Sequence, residues 1–380
     1  MGNTYDAIIV GAGPAGSMAA YVAARLGLRV LVIDRFRFPR MKPCGGGLTQ
    51  KSVILLRSFG IDLNSVIRNT CNRVVIINNA GSFIITDNEP IISVVSRDEF
   101  DNYLLSNALE KGADYVNDRI IGINNGNDYV SVTGMNNSYI GKYVIAADGV
   151  NSIIAKSLGN NIRRNNAMAF MTIARGSYHN DLCIIDMTRM KWGYSWVFPR
   201  GDNEYDVGIG SIRWANYKTQ LIKYVHDIGL REGAVLGHPI PIKPRENIIS
   251  KRIALIGDAG GFADPTTGEG IFYAMYSGAL AALALRYSSN PAEFANNYLG
   301  SIEPLIKNLS LAYYLSLGAY GVDHLVMGRL GISAFSMSNT KKLIKRIMRG
   351  NIWYYRVPAS IIKFSLINGP KIILRKTLHG

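Results

Sequence analysis

Three glycine-rich turns are the segments of this chain most typical of a ligand-binding site. Glycine has no side chain, so the backbone of such a turn can come close to a phosphate group. The first turn, Gly11–Gly16, reads Gly-Ala-Gly-Pro-Ala-Gly, and Asp34 ends the next predicted strand. Gly11 permits the tight turn, Gly13 lets the backbone approach a pyrophosphate, and Gly16 lets the following helix pack against the strand. The helix N-terminus attracts phosphate, and Asp34 can accept a hydrogen bond from a ribose hydroxyl. The pattern predicts a dinucleotide-binding site.

Two further turns follow predicted buried strands. The segment 147–149 reads Ala-Asp-Gly and can set backbone against a pyrophosphate from the other side, although alone it is more typical of an ordinary turn. The third turn runs from Gly257 to Gly270, and its Asp258 is placed to bind the hydroxyl groups of a ligand. The glycines after Asp258 open a helix whose N-terminal dipole can stabilise negative charge on a bound ring.

Hydrophobic periodicity places each of these turns at the end of a strand. Buried strands are predicted for residues 5–10, 29–34, 143–147 and 252–256, and helices for residues 14–26, 48–59, 97–111 and 270–287. The sequence therefore predicts an α/β fold, with a Rossmann-like dinucleotide-binding domain, an inserted β-sheet substrate domain and a helical C-terminal region. The predicted boundaries are 1–165 and 245–290 for the first, 70–95 and 166–244 for the second, and 291–380 for the third.

The three turns in this order resemble those of the aromatic-hydroxylase type of FAD flavoprotein, in which the first turn binds ADP and the others carry the DG and GD fingerprints. Arg97 opens a helix with the sequence Arg-Asp-Glu-Phe-Asp. This segment is similar to one in that superfamily whose Arg touches FAD. The resemblance covers residues 5–280 and implies that the chain binds FAD.

Two more segments resemble the geranylgeranyl reductase family of that superfamily. They are Lys42–Leu48, which reads Lys-Pro-Cys-Gly-Gly-Gly-Leu, and Tyr194–Pro199, which reads Tyr-Ser-Trp-Val-Phe-Pro. The resemblance implies an FAD-dependent reductase that saturates C=C bonds of geranylgeranyl chains, in archaeal-type ether lipids or in prenyl diphosphates. The residues implied at FAD are Gly11, Gly13, Ala15, Gly16, Asp34, Arg35, Cys44, Gly45, Gly46, Gly47, Arg97, Ala147, Asp148, Gly149, Gly257, Asp258, Gly268, Gly270 and Ile271.

Cys44, Tyr194 and Trp196 are the candidates for catalysis. Strand alternation puts Tyr194, Trp196 and Phe198 on one face, which with Pro199 could line an isoprenoid cavity or could be a plain aromatic core. Cys44 could donate the proton or orient the alkene, or it could be a small side chain that lets its loop approach the flavin. Lys42 is a further candidate that could simply pair with an acid.

Two other functions remain open at this stage. An FAD-dependent monooxygenase or halogenase has the same fold, and halogenases carry a related aromatic stretch; the Cys44 loop and Tyr194 favour the reductase. A lipid-binding protein that keeps FAD as a structural element is the second alternative. The external reductant could be a nicotinamide, a deazaflavin or a ferredoxin, which leaves open an electron-donor protein as a partner.

The net charge of +15 is concentrated at the C-terminus, where eleven Lys or Arg and no acidic residue follow from Arg329 onward. The same tail is rich in Ile, Trp and Tyr, which favours an anionic membrane surface as partner, and no nucleic-acid module accompanies it. The segment Lys341–Arg349 predicts a helix with Leu343, Ile344, Ile347 and Met348 on one side. It could lie in a membrane interface, or it could pack on the core with a solvated basic face.

The three cysteines, Cys44, Cys71 and Cys183, form no C-x-x-C pair, so neither a metal site nor a disulfide framework is predicted. This usage suits a reducing cytoplasm. No stretch reaches about 18 uninterrupted apolar residues, so no transmembrane helix is predicted. The expected location is the cytoplasm, peripherally on the inner face of the membrane.

Overall fold

The computed structural model describes residues 4–79, 81–162, 165–213, 215–323, 338–350 and 353–354. The strands are β1 (Tyr5–Val10), β2 (Val30–Asp34), β3 (Gly47–Thr49), β4 (Ile67–Cys71), β5 (Arg73–Asn78), β6 (Gly81–Thr86), β7 (Ile92–Val95), β8 (Asp114–Asn117), β9 (Ile120–Asn125), β10 (Val130–Gly134), β11 (Ser138–Ala146), β12 (Asn166–Arg175), β13 (Leu182–Asp186), β14 (Gly193–Gly201), β15 (Glu204–Ser211), β16 (Leu236–Pro241), β17 (Ile249–Ser250) and β18 (Ile253–Leu255). The α-helices are α1 (Pro14–Arg25), α2 (Gln50–Ser58), α3 (Arg97–Glu110), α4 (Ile153–Ser157), α5 (Tyr217–Asp227), α6 (Ile271–Arg286), α7 (Pro291–Asp323) and α8 (Ser338–Met348).

The first sheet is built on five parallel strands in the order β18-β11-β1-β2-β8. β17 extends it at the β18 edge, and β10 pairs antiparallel with β11 and with β9. Ala7 and Ile9 of β1 face a core cluster that contains α1, α3 and α6, whereas Ile8 and Val10 face a second cluster with β10 and α4. Burial on both faces explains why these strands read as continuous apolar runs.

The second sheet has the order β16-β12-β15-β14-β13-β5-β6 and is antiparallel except where β13 pairs with β5. One of its faces is covered by α5, which packs with Val197 and Val207. The segment 70–95 is divided between two sheets, because β5 and β6 join this one while β4 and β7 form a three-stranded sheet with β3. The predicted α/β class is confirmed, whereas the predicted domain boundaries stay a prediction.

The helical C-terminal region begins with α7, which packs Phe294, Tyr298 and Ile302 into the first core cluster. α8 follows after residues that lie outside the described part of the chain, as do residues 355–380, on which much of the predicted basic tail falls. Of the helices in the described ranges, none combines the length and the apolar character needed to cross a bilayer.

Candidate cofactor site and active site

The first and second glycine turns lie against each other where β1 and β11 end. The amide of Ala147 donates to the carbonyl of Val10 at 2.7 Å, and a Cβ on Gly11 would overlap the carbonyl of Ala147. Gly11 has a φ of +103°, and a Cβ on Gly16 would overlap the carbonyl of Gly11. Close approach therefore requires glycine at both positions, as the sequence predicts. The two turns present their backbone at one edge of the first sheet.

Gly13 precedes α1 and has open space in front of it. Apart from the neighbours of Gly13 in the chain, the one atom of the described residues within 4 Å of a Cβ built there is Nη2 of Arg40, at 3.6 Å. That Nη2 lies 3.1 Å from the carboxylate of Asp101, while Nη1 of Arg40 is buried and has no hydrogen-bond partner among the described residues. A buried guanidinium nitrogen normally has an acceptor, and a diphosphate beside a helix N-terminus supplies one. These residues therefore fit the diphosphate of FAD. The sequence analysis did not single out Arg40. The feature that could have identified it is a basic residue shortly after β2.

Asp34 and Arg35 lie at the end of β2, beside a cleft of about 510 Å³. The residues that line this cleft are Arg35, Phe36, Asn117, Asp118, Arg119, Met135 and Asn136. The carboxylate of Asp34 accepts from the amides of Ala12 at 2.7 Å and Phe36 at 2.9 Å. A carboxylate offers about four acceptor positions, so Asp34 can still bind a ribose hydroxyl. We expect the adenosine end of FAD to occupy this cleft.

The third glycine turn packs against the start of α1. A Cβ on Gly257 would lie 2.8 Å from Cβ of Ala15, and one on Gly278 would overlap the carbonyl of Ala15. The amide of Gly257 also donates to the hydroxyl of Ser277 at 2.9 Å, which fixes the turn on α6. All three predicted turns therefore surround the start of one helix, although they lie far apart in the sequence.

Asp258, the acid of the third turn, lies 3.6 Å from Nζ of Lys42. This contact favours the interpretation of Lys42 as the partner of an acid. His238 interacts electrostatically with both, and burial together with the charge of Lys42 lowers the pKa of His238 to about 4. His238 is therefore neutral at pH 7 and can either donate or accept a hydrogen bond. It lies in no sequence motif, so only the fold could bring it to this site.

Asp148 of the second turn uses its carboxylate within the protein. It accepts from the hydroxyl of Ser152 at 2.5 Å and from the amide of Ile153 at 2.9 Å, and so caps α4. Burial raises the pKa of Asp148. Gly149 beside it has a φ of +80°, and no atom of the described residues lies within 4 Å of a Cβ built on it. The turn therefore offers its backbone, rather than its carboxylate, to a cofactor.

Arg97 is buried and forms a two-bond ion pair with Asp101, with Nε and Nη2 each 2.8 Å from a carboxylate oxygen. Burial opposes the charge of Arg97, but Asp101 and Cys44 outweigh it and raise the pKa of Arg97. The guanidinium also interacts electrostatically with the Cys44 side chain. The structure therefore places Arg97 beside the candidate thiol, while its contact with FAD stays a prediction.

The Cys44 loop lies against the predicted aromatic face of β14. A Cβ on Gly45 would lie 2.7 Å from Nε1 of Trp196, and one on Gly47 would lie 2.8 Å from Cε2 of Phe198. The ring of Trp196 is 6.1 Å from that of Tyr194, whose hydroxyl donates to the carbonyl of Thr267 in the third turn. Burial, and then the charge of Asp264, raises the pKa of Tyr194. The fold therefore brings the aromatic strand, the Cys44 loop and the third turn together.

Pro199 does not join this face. Alternation along β14 puts it on the opposite side with Val197, against the cluster that α5 covers. The indole ring of Trp196 can lie flat on the sheet because its neighbour on β15 is Gly208. A Cβ on Gly208 would overlap the indole ring. The aromatic wall therefore consists of Tyr194, Trp196 and Phe198, and Pro199 has no place in it.

Asp206 is a titratable group that sequence reasoning missed. It is buried on the same face of the sheet as the aromatic wall, accepts from Nε1 of Trp196 at 3.2 Å and lies 3.8 Å from Nη1 of Arg200. Burial raises the pKa of Asp206 from 3.8 to about 7. At a pH between these two pKa values, Asp206 is ionised in the unfolded chain but protonated in the folded protein. Folding therefore takes up a proton at Asp206 in this range.

We expect the free energy of unfolding to fall as the pH rises through the window from 3.8 to about 7. The contribution of Asp206 to this slope approaches about 1.4 kcal/mol per pH unit. In Asp206→Asn the slope between pH 5 and 7 should be shallower, which urea unfolding of both proteins measures. Superimposable slopes in the two proteins would mean that Asp206 is ionised throughout this range in the folded state.

The candidate membrane helix is α8, and its described apolar side chains pack on the protein. Ile344 and Met348 belong to the core cluster that includes Phe198 and the buried Cys71 and Cys183. Lys345 of α8 and Arg349, the residue after α8, lie 3.7 and 2.6 Å from the carboxylate of Asp87, the residue after β6. These contacts favour a core-packing helix over an interfacial one. α8 therefore closes the region behind the aromatic wall.

Within the described residues, no group of His, Cys, Asp and Glu is arranged to hold a metal ion. The polar groups around the third turn belong instead to a buried network that includes Lys51, Asp264 and Glu269. Sequence reasoning did not single out these residues, because their burial depends on how α2, α6 and the C-terminal residues pack.

These features define an FAD-binding oxidoreductase. The family of the FAD binding domain matches residues 4–188. The chain is 30% identical to digeranylgeranylglycerophospholipid reductase of Thermoplasma acidophilum, over 80% of this chain and 84% of that protein. It is also 30% identical to menaquinone reductase of Mycobacterium tuberculosis, over 74% of this chain and 76% of that one. The chain belongs to the geranylgeranyl reductase family of FAD flavoproteins.

Solved structures support the fold. A geranylgeranyl bacteriochlorophyll reductase-like protein from Thermoplasma acidophilum superposes with a TM-score of 0.70 at 25% identity and covers 98% of both chains. A flavin-dependent brominase superposes with a TM-score of 0.76, covering 98% of this chain and all of that one, but at 17% identity. The second likeness concerns the fold alone.

Proposed function

We propose that this protein uses FAD to saturate C=C bonds of geranylgeranyl chains, in archaeal-type ether lipids or in prenyl diphosphates. The observation that carries the proposal is the packing of the Cys44 loop against Trp196 and Phe198, with Tyr194 of the same strand joined to the third glycine turn. This arrangement combines a thiol with an aromatic wall beside the third turn, where we expect the flavin end of the cofactor to lie. The names of the relatives, which include reductases of prenyl lipids, support it.

Bound FAD supplies the two electrons of the reduction. The residues of this chain would hold the prenyl chain, exclude water and deliver the proton. The faces of Trp196 and Tyr194 can stabilise positive charge that develops on the alkene, while the apolar wall keeps water away. Loss of the Cys44 proton leaves a thiolate, and the adjacent Arg97 guanidinium stabilises that charge. Arg97 therefore has a positioning role in the proposal.

A monooxygenase or halogenase is the alternative, because a brominase has the same fold. Oxygen separates the two possibilities, since a monooxygenase consumes O₂ and a reductase works without it. Menaquinone reductase among the relatives adds a prenylated quinone to the substrates worth testing. We further propose that the basic residues after Arg329 contact an anionic membrane surface, and that an external donor delivers the electrons.

The proposal predicts reduction of a prenyl lipid without oxygen. The purified protein is reduced with dithionite under anaerobic conditions, and digeranylgeranyl ether lipid, geranylgeranyl diphosphate or menaquinone is added. Mass spectrometry should then detect a gain of two hydrogens for each saturated double bond. A flavoprotein that adds no hydrogen to any of these substrates, yet consumes O₂ with an aromatic compound, would support the alternative instead.

A further inference from the structure

Asp101 is a fully buried carboxylate on α3 that lies between two arginines. Nε and Nη2 of Arg97 each donate to one of its oxygens at 2.8 Å, and Nη2 of Arg40 lies 3.1 Å from one of the same oxygens. Guanidinium nitrogens are donors only and do not lose their protons in proteins. A proton on Asp101 would have no acceptor among these contacts, so the carboxylate is ionised and is shared by two cations.

Asp101 and the ring of Phe38 orient the guanidinium of Arg40. Cζ of Arg40 lies 4.9 Å from the centre of the Phe38 ring, and Asp101 pairs with Nη2. Nη1 is buried without a hydrogen-bond partner among the described residues, and Nη2 borders the open space at Gly13. Arg40 is therefore held where the diphosphate of FAD is expected, with a nitrogen that needs an acceptor.

The segment from Arg40 to Gly46 carries Cys44, and both of its ends are anchored to the part of the chain that forms β7 and α3. At the first end, Arg40 is paired with Asp101. At the other end, the carbonyl of Gly46 accepts from the amide of Val95 at 2.9 Å, and a Cβ on Gly46 would overlap the carbonyl of Val95. The second anchor is made by backbone, whereas the first depends on the carboxylate of Asp101.

We infer that Asp101 is a positioning residue that links the diphosphate site of FAD to the Cys44 loop. A diphosphate would give Nη1 of Arg40 an acceptor, so the guanidinium would be restrained between the cofactor and Asp101. The loop that follows Arg40 is then held more firmly against α3. Without Asp101, Arg40 and Arg97 would be two like charges with no shared partner, and a restraint on Arg40 would not be passed to α3.

The inference is tested with ADP, which has the diphosphate of FAD but no flavin. The full-length protein is freed of FAD, and mass spectrometry follows the alkylation of Cys44 by iodoacetamide with and without saturating ADP. In the parent, ADP should slow alkylation about fivefold or more, which is a typical coupling between two sites. In Asp101→Asn, saturating ADP should change the rate by less than about twofold, because the link is lost. No prenyl substrate is present, so the result does not depend on the proposed reaction.

Two outcomes would overturn the inference. One is an ADP effect of equal size in the parent and in Asp101→Asn, which would mean that the charge of the diphosphate acts on the thiol directly through space. A purely structural role of Asp101 gives the same outcome, because it changes the alkylation rate by one factor with and without ADP. The other is the absence of an ADP effect in a parent protein that binds ADP, which calorimetry measures.

Glu99→Gln is the matched control, because it removes a carboxylate from the first turn of the same helix. Glu99 pairs with Arg68 at the surface, where the two side chains are 42% and 40% exposed. Its ADP effect should equal that of the parent, and its loss would mean that a general loosening of α3 explains the result. Cys71 and Cys183 are fully buried and Cys44 is half-buried, so the peptide that contains Cys44 should react first.

A second variant keeps the test decisive if Asp101→Asn does not fold, since removal of one partner from a buried ion pair is strongly destabilising. Arg97→Gln/Asp101→Asn removes one positive and one negative charge and so preserves the net charge of the site. It leaves Arg40 without its carboxylate partner, so the ADP effect on Cys44 should be lost here as well. An ADP effect like that of the parent in this folded variant would contradict the inference.

Discussion

Replacing Gly13 with valine is expected to give a folded protein that no longer binds FAD. The side chain would enter the open space in front of α1, where Nη2 of Arg40 is the one neighbour within 4 Å in the part of the chain that the structure describes. The protein itself therefore tolerates the change, but the diphosphate loses its place beside the helix N-terminus and Arg40. Loss of two charge-assisted hydrogen bonds weakens binding by about 100-fold or more. The ratio of flavin to protein absorbance after purification, and titration of the apoprotein with FAD, measure this loss.

Two other glycines are the controls for this result. Gly300→Val lies in α7, where a Cβ meets no atom of another described element within 4 Å, and should bind FAD like the parent. Gly11→Val would overlap the carbonyl of Ala147, so this variant should lose thermal stability as well as FAD. Full flavin occupancy in Gly13→Val would mean that the diphosphate lies elsewhere and would remove the site assignment.

The glycine turns could be predicted because each depends on local geometry that only glycine allows. Gly11 needs a left-handed φ, and Gly16 and Gly257 have no room for a side chain. Their position after runs of apolar residues fixed them at strand ends, and parallel strands bring such ends to one edge. The cofactor site was therefore predictable in outline from spacing alone.

The chemistry of the individual side chains was harder to predict. Asp148 could be expected at the cofactor, but its carboxylate caps α4, because the nearest donors are those of its own turn. Arg97 pairs with Asp101 one helical turn further on, an arrangement that the sequence contains but does not single out. Arg40, His238 and Asp206 acquire their roles only through burial, which depends on contacts between distant segments.

The Lys341–Arg349 segment illustrates the same limit. Its pattern of apolar and basic residues is equally suited to a membrane interface and to a protein core. The structure favours the core, because Ile344 and Met348 contact the cluster behind Phe198 and the cations have Asp87 as a partner. The sequence of one amphipathic helix does not indicate whether its apolar face packs against a membrane or against the protein.

Replacing Cys44 with alanine is expected to slow alkene saturation by about 100-fold or more, the usual contribution of a positioned proton donor. FAD should stay bound and remain reducible by dithionite. Alanine is smaller than cysteine, so the substitution does not push the loop out of its position. Single-turnover assays of the anaerobically reduced protein with digeranylgeranyl ether lipid measure the rate of hydrogenation separately from flavin reduction. The reason for the expected loss is the position of the thiol, whose loop packs on the aromatic wall and which interacts electrostatically with Arg97 and Tyr194.

The chain provides a matched control for the loss of a thiol. Cys71→Ala removes a fully buried cysteine from the core cluster behind the aromatic wall, where no proton transfer is proposed. This variant should lose stability but hydrogenate the lipid at close to the parent rate. In the proposal, Arg97 stabilises the thiolate. Arg97→Met should therefore slow hydrogenation when it is introduced into the parent, but it should cause little further loss of rate when it is introduced into Cys44→Ala. Additive losses in the double variant, or parent-like turnover in Cys44→Ala, would assign the proton to a different group and leave Cys44 as a small residue that lets its loop approach the flavin.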